Sequence, residues 1–125
     1  MHITNKLLLS IILFCQLAFA GVEENEKRIE FLLNAINQSK GTFYRSGESY
    51  PATKAHDHIK RKYRIGMLNP FSPSKEEWTA EFFIDNVASK SSSTGEDYFI
   101  DENGKRMKMK EWLDNKLKTF NKNSL

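Results

Sequence analysis

Residues 43–64 read FYRSGESYPATKAHDHIKRKYR, and the rest of the chain can be read outward from this stretch. Phe43-Tyr44-Arg45 has the aromatic character of a strand, and its two-residue period sets Phe43 and Arg45 on one face and Tyr44 on the other. Ser46-Gly47 fits a two-residue turn, because glycine takes positive φ without steric cost. Glu48-Ser49-Tyr50 makes a short return strand. Pro51 suits the first turn of a helix, where its missing N–H is no loss. Ala52, Ala55, Ile59 and Tyr63 then mark a buried stripe flanked by His58 and Lys62, with Lys54, Lys60, Arg61 and Arg64 outside it. Gly66 reads as the end of this helix.

Upstream, the first twenty residues are expected to lie outside the fold. His2 and Lys6 form a basic start, Leu7 to Leu17 is an apolar run, and Ala18-Phe19-Ala20 is an A-x-A site, which together read as a cleaved secretory signal peptide. The apolar run is well short of the roughly 20 residues that span a bilayer, so no transmembrane segment is expected in the mature protein. Phe14 precedes Cys15 where a small residue precedes a lipidated cysteine, so an ordinary signal-peptide cysteine is preferred to a lipid anchor. The mature domain, residues 21–125, then contains no cysteine. That excludes a disulfide, a thiolate nucleophile and a cysteine-based metal site. Loss of Lys6 lowers the formal net charge of +3 by one. So balanced a chain, exported to the periplasm, argues against nucleic acid as a partner. Glu23 to Ser39 reads as the opening helix, with Ile29, Leu32, Leu33 and Ile36 on one face and Glu23, Glu24 and Glu26 near a helix start that suits negative charge.

Downstream, Leu68 to Ser74 is a proline-containing loop. Ser74 and Glu77 have capping-box spacing and predict the start of a third helix, whose face Ala80, Phe83, Ile84, Val87 and Ala88 belongs at the centre of the core. Trp78 and Phe82 widen that face. The polar segment Ser89 to Gly95 follows. Tyr98-Phe99-Ile100, an Asn103-Gly104 turn and Lys105 to Lys108 form a second hairpin. A last helix carries Met109, Trp112, Leu113, Leu117 and Phe120. The expected fold is a small single α+β domain, with about four helices packed on a short antiparallel sheet made from two hairpins joined edge to edge.

No catalytic set emerges. His56 and His58 are two apart, which on a helix points them in different directions, so no metal site is expected. Ser72-Pro73-Ser74-Lys75 matches an S-x-x-K pattern, yet the accompanying S-D-N and K-T-G motifs are absent. No cofactor is implied. The hydroxyl-rich segment Ser89–Gly95 reads either as an anion-binding backbone nest or as a solvated loop whose hydroxyls satisfy the preceding helix's last carbonyls; the second is preferred. The basic outer face of the second helix reads first as a solvated face and second as a surface for anionic lipid or an acidic partner.

Four stretches together resemble the YfeK-like family of small exported bacterial proteins of unknown function. They are Ile29–Leu33, Phe43-Tyr44-Arg45-Ser46-Gly47, Ala55 to Lys62, and Phe83 to Ser92 continued by Thr94, Gly95 and Tyr98. Ser46 stands where that family often has asparagine, and the loop at Leu68–Lys75 is longer than usual. The resemblance implies a periplasmic location and a common fold and brings no activity. It marks Arg45, His58, Arg61, Lys62 and the segment Ser89 to Ser92 as matching positions. The expected binding surface is therefore a polar cleft of Arg45, His58, Arg61, Lys62, Ser89, Ser91 and Ser92. A non-enzymatic binding or accessory module of the cell envelope is the first expectation, with a small anion, an unknown envelope component or a protein as partner. A purely structural surface is the second, and a small hydrolase using His58 and a loop serine is the third.

Overall fold

The computed structural model describes the backbone of residues 2–123 and the side chains of residues 19–123. Helix α1 covers His2–Gln38 and is followed by strands β1 (Thr42–Arg45) and β2 (Glu48–Tyr50) and helix α2 (Ala52–Leu68). A single 3₁₀ turn at Lys75–Glu77 precedes α3 (Ala80–Phe83), which continues directly as a π-helical turn at Ile84–Ala88. Strands β3 (Phe99–Glu102) and β4 (Lys105–Lys108) lead into α4 (Met109–Asn123). The architecture is a small α+β domain with the helices packed on one four-stranded antiparallel sheet of order β2-β1-β3-β4. The two hairpins therefore do meet edge to edge, through β1 and β3.

Register explains which side chains face the helices. Phe43 lies opposite Tyr50 on one side and Ile100 on the other, and Ile100 lies opposite Met107. Phe43 and Ile100 are buried, and the Phe43 ring meets Trp112 of α4 edge-on at 6.2 Å. Tyr44 and Phe99 alternate to the opposite face, where the Arg106 guanidinium stacks 4.2 Å above the Tyr44 ring. Arg45 shares the helix-facing side with Phe43. Ala80, Phe83, Ile84, Val87 and Ala88 are all buried, which places the α3 segment at the centre of the core.

Several local expectations change. Helix α1 begins at His2 and runs unbroken to Gln38, so the expected signal-peptide stretch is continuous with the fold's first helix. Among the described side chains, however, the buried residues of α1 start only at Ile29, and Phe19 is 74% exposed. The side chains of the apolar run Leu7–Leu17 lie outside the described residues. Among the described residues no helix is long and apolar enough to cross a membrane. The Ser74–Glu77 capping box is not made. Ser74 has no side-chain cap, and α3 starts instead where the Thr79 hydroxyl accepts from the Phe82 N–H at 3.1 Å. The indole of Trp78 explains the break: it is buried, meets Phe82 and Tyr63 edge-on, and donates to the Ser72 hydroxyl at 2.8 Å, which holds its backbone outside helical geometry. Gly66 lies inside α2, not at its end, because the Trp78 ring sits against it and a β-carbon there would come within 2.9 Å.

Both hairpin turns place two residues at positive φ: Ser46 and Gly47 at 51° and 79°, Asn103 and Gly104 at 54° and 77°. Asparagine tolerates this left-handed region and serine pays for its Cβ there. Ser46→Asn should raise unfolding free energy by about 0.5 kcal/mol in urea titrations, and a loss of stability would contradict this account of the turn.

Candidate functional site

The first hairpin delivers Arg45, α2 delivers His58 and Lys62, and the residue before β3 delivers Tyr98. Arg45 Nη1 donates to His58 Nε2 at 2.9 Å and approaches Nδ1 at 3.3 Å. Lys62 Nζ donates to the Val87 carbonyl at 2.7 Å, to the Lys90 carbonyl at 2.8 Å and to the Tyr98 hydroxyl at 3.1 Å. The Tyr98 hydroxyl, having accepted from Lys62, lies 3.3 Å from His58 Nε2. A guanidinium only donates, so Nε2 must act as an acceptor and the imidazole is neutral. Burial first, then the charges of Arg45, Lys62 and Arg61, hold the His58 pKa below its ordinary 6.5. Burial first, then Arg45, pulls Lys62 down from 10.5 to about 8.

These groups line a shallow cleft with Ser91, Ser92 and Ser93. Among the described residues, neither Arg45 nor Lys62 forms an ion pair. Glu48 also lines this cleft, but its carboxylate accepts from the Tyr50 hydroxyl at 2.6 Å. On the other side of the Arg45–His58 pair lies a second, largely apolar pocket of about 220 Å³. Phe43, Tyr50, Ala55, Ile59 and Met109 contribute to its wall. Arg45, His58 and Tyr98 border both spaces.

Of the expected cleft residues, the fold brings together Arg45, His58, Lys62, Ser91 and Ser92. Arg61 is exposed on α2 and contributes only its charge, and Ser89 is buried, with its carbonyl accepting from the Tyr98 N–H at 2.8 Å. Lys62 takes a different role from the expected one: its three N–H donors tie α2 to the end of the π-helical turn at Val87, to the serine segment at Lys90 and to the Tyr98 hydroxyl. Those helix-end carbonyls are thus met by an ammonium group and not by loop hydroxyls. The segment's amides mostly close the segment itself, with Ser91 N donating to Glu96 O, Gly95 N to Ser91 O and Thr94 N to the Ser91 hydroxyl. The nest reading loses its free donors there. His58 bonds Arg45 and Tyr98, and the Ser91 and Ser93 hydroxyls bond each other at 3.1 Å. That arrangement lacks the nucleophile–base pair a hydrolase needs. His56 is turned to Asp57 at 3.1 Å, away from His58's partners. Among the described residues no cluster of three or more His, Cys, Asp or Glu could hold a metal ion.

Tyr98, Tyr50 and the apolar pocket were not legible as site features. Tyr98 closes the matching stretch after Gly95, and its two-residue offset from buried Ile100 is the one signal that would place it on the helix-facing side.

A helix-covered four-stranded sheet with an arginine–histidine pair at its open end defines the class. The chain belongs to the family described as "Family of unknown function (DUF5329)", which matches residues 23–121. It is 40% identical over 83 residues to the uncharacterized protein YfeK of Salmonella typhimurium strain LT2, covering 65% of this chain and 63% of that relative. No solved structure matches the fold significantly.

Proposed function

We propose that this domain is a non-enzymatic binding module of the bacterial cell envelope, exported to the periplasm, that holds an anionic group on Arg45 and His58. The observation that carries this reading is the unbalanced charge of the cleft. Two cations and an imidazole are gathered in a part-buried space without an ion-paired carboxylate, and burial first, then the neighbouring positive charge, lowers the pKa values of His58 and Lys62. Cations held this way are stabilised by an incoming anion, which restores the missing partner. The signal-peptide pattern supports the location, and the absence of a nucleophile–base pair favours binding over hydrolysis.

Sulfate, whose charge is constant through the neutral range, is a suitable probe. Arg45→Met should weaken sulfate binding by about tenfold, the worth of one charge-assisted hydrogen bond, in titrations followed by amide chemical shifts. The melting temperature should stay within a few degrees. Unchanged affinity, or a collapse of the fold, would make Arg45 structural. The pH dependence has a definite sign. His58 is lowered in the free protein and raised by a bound anion, so binding takes up a proton between the two values. Sulfate affinity should therefore rise as pH falls below about 6.5, and His58→Gln should abolish that rise.

A further inference from the structure

We infer that the natural ligand is an amphipathic organic anion, whose acidic group meets Arg45 and whose apolar body fills the neighbouring pocket. This rests on the anion reading above and narrows it to a chemical class.

The argument starts from the shared wall. Arg45, His58 and Tyr98 border both the polar cleft and the apolar pocket, so an anion bound at Arg45 has the apolar pocket directly beside it. That pocket measures about 220 Å³. An apolar cavity of roughly 150 Å³ accepts benzene, so this one suits a single ring with a short chain or a branched body of similar size. Its wall is hydrocarbon and ring surface from Phe43, Tyr50, Ile59 and Met109, with Ala55 as the smallest side chain. Small polar anions such as phosphate would leave this surface against water. A flat peptide or sugar would bring polar groups that the wall cannot satisfy.

Charge sets the sign of the ligand's polar end. Arg45 and Lys62 in the cleft and Lys54 on the pocket wall are positive, His58 is neutral and Glu48 on the rim is negative. The site therefore carries uncompensated positive charge, which an acidic group on the ligand neutralises. Tyr50 links the two spaces physically: its ring walls the pocket, Arg45 lies 5.5 Å over it, and its hydroxyl occupies Glu48.

The test is a comparison of four probes on the purified full-length protein, followed by amide and His58 ring shifts: sulfate, acetate, 3-phenylpropionate and 3-phenylpropanol. Burial of a ring is worth about 30-fold, so 3-phenylpropionate should bind about 30-fold tighter than acetate. The alcohol should bind about tenfold weaker than the acid, having lost the charge-assisted bond. Ala55→Leu, which fills the pocket from α2 with a good helix former, should bring 3-phenylpropionate down to the level of acetate and leave sulfate binding unchanged. Equal affinity for acetate and 3-phenylpropionate would overturn the amphipathic inference while leaving the anion reading intact. Equal affinity for the acid and the alcohol would overturn the anion reading. Failure of all four probes to bind would overturn both.

Discussion

Lys62→Met should lower unfolding free energy by about 2–3 kcal/mol, the cost of losing charge-assisted bonds and leaving part-buried carbonyls unpaired. The ammonium group joins three places distant in sequence: the Val87 carbonyl at the end of the π-helical turn, the Lys90 carbonyl and the Tyr98 hydroxyl. Methionine keeps the length and apolar stem and removes every donor. Urea titration measures the loss, and hydrogen exchange should show the Ser91, Gly95 and Tyr98 amides losing protection before those of α4. A variant as stable as the parent would mean that water satisfies these carbonyls equally well. The pH dependence gives a second handle. Lys62 is at about 8 in the fold against 10.5 as its ordinary value. Between those values the unfolded chain binds more protons, so this group's contribution to stability rises with pH across that window and is constant below it. The parent's lead over Lys62→Met should therefore widen from pH 8 to 10.5, and a narrowing lead would contradict the lowered pKa.

Gly41→Ala should be comparably damaging, at about 2–3 kcal/mol, for a steric reason. A β-carbon at Gly41 would stand 2.6 Å from the Asp101 carbonyl oxygen, a backbone atom of the facing strand. Thr42 pairs with Asp101 in the register that joins the two hairpins, so relief of the clash must pry β1 from β3. The same corner holds a clamp. Glu102 accepts from the Ser39 hydroxyl at 2.7 Å and from the Trp112 indole at 3.1 Å, tying α1, β3 and α4 together. Burial alone would raise the Glu102 pKa, but the bonds from Ser39 and Trp112 and the charge of Lys116 keep it below 4.5. Its contribution is present above that value and fades as pH falls through the lower one. Because β1 carries Arg45 and β3 follows Tyr98, Gly41→Ala should also weaken sulfate binding. Thermal melts and the sulfate titration check both, and an unaffected melt would show that the strands can separate locally without cost.

The elements that signal locally were the legible ones. Phe43 and Arg45 on one face follow from strand alternation, the two glycine turns from positive φ, and the α3 stripe from helical spacing. The edge-to-edge joining of the hairpins followed from having two short hairpins and one core, whereas the choice of β1 and β3 as the joining strands is seen only in the structure. What stayed hidden depends on partners far along the chain. Nothing near Lys62 announces that its acceptors lie 25 and more residues away at Val87, Lys90 and Tyr98. Ser74 and Glu77 have the right spacing for a cap, but the burial of Trp78 overrides it and moves the start to Thr79. Gly66 resembles a helix stop because a tryptophan pressing on a glycine leaves no mark in the local sequence. The apolar pocket was invisible for a related reason: Phe43, Ile59 and Met109 read as core whether or not a space is left between them.

The unbroken run of α1 from His2 to Gln38 would matter to the export proposed above. In the uncut chain, Glu23, Glu24 and Glu26 sit in the middle of a helix, where its dipole gives them nothing. A cut after Ala20 would bring Glu23 and Glu24 into the first turn of a shorter helix, each then favoured by about 0.3–1 kcal/mol. Among the described side chains, the helix residues that pack inside begin at Ile29, beyond such a cut. Maturation would then tighten the domain by subtraction, and the newly trimmed form would be the one least inclined to fray at its front.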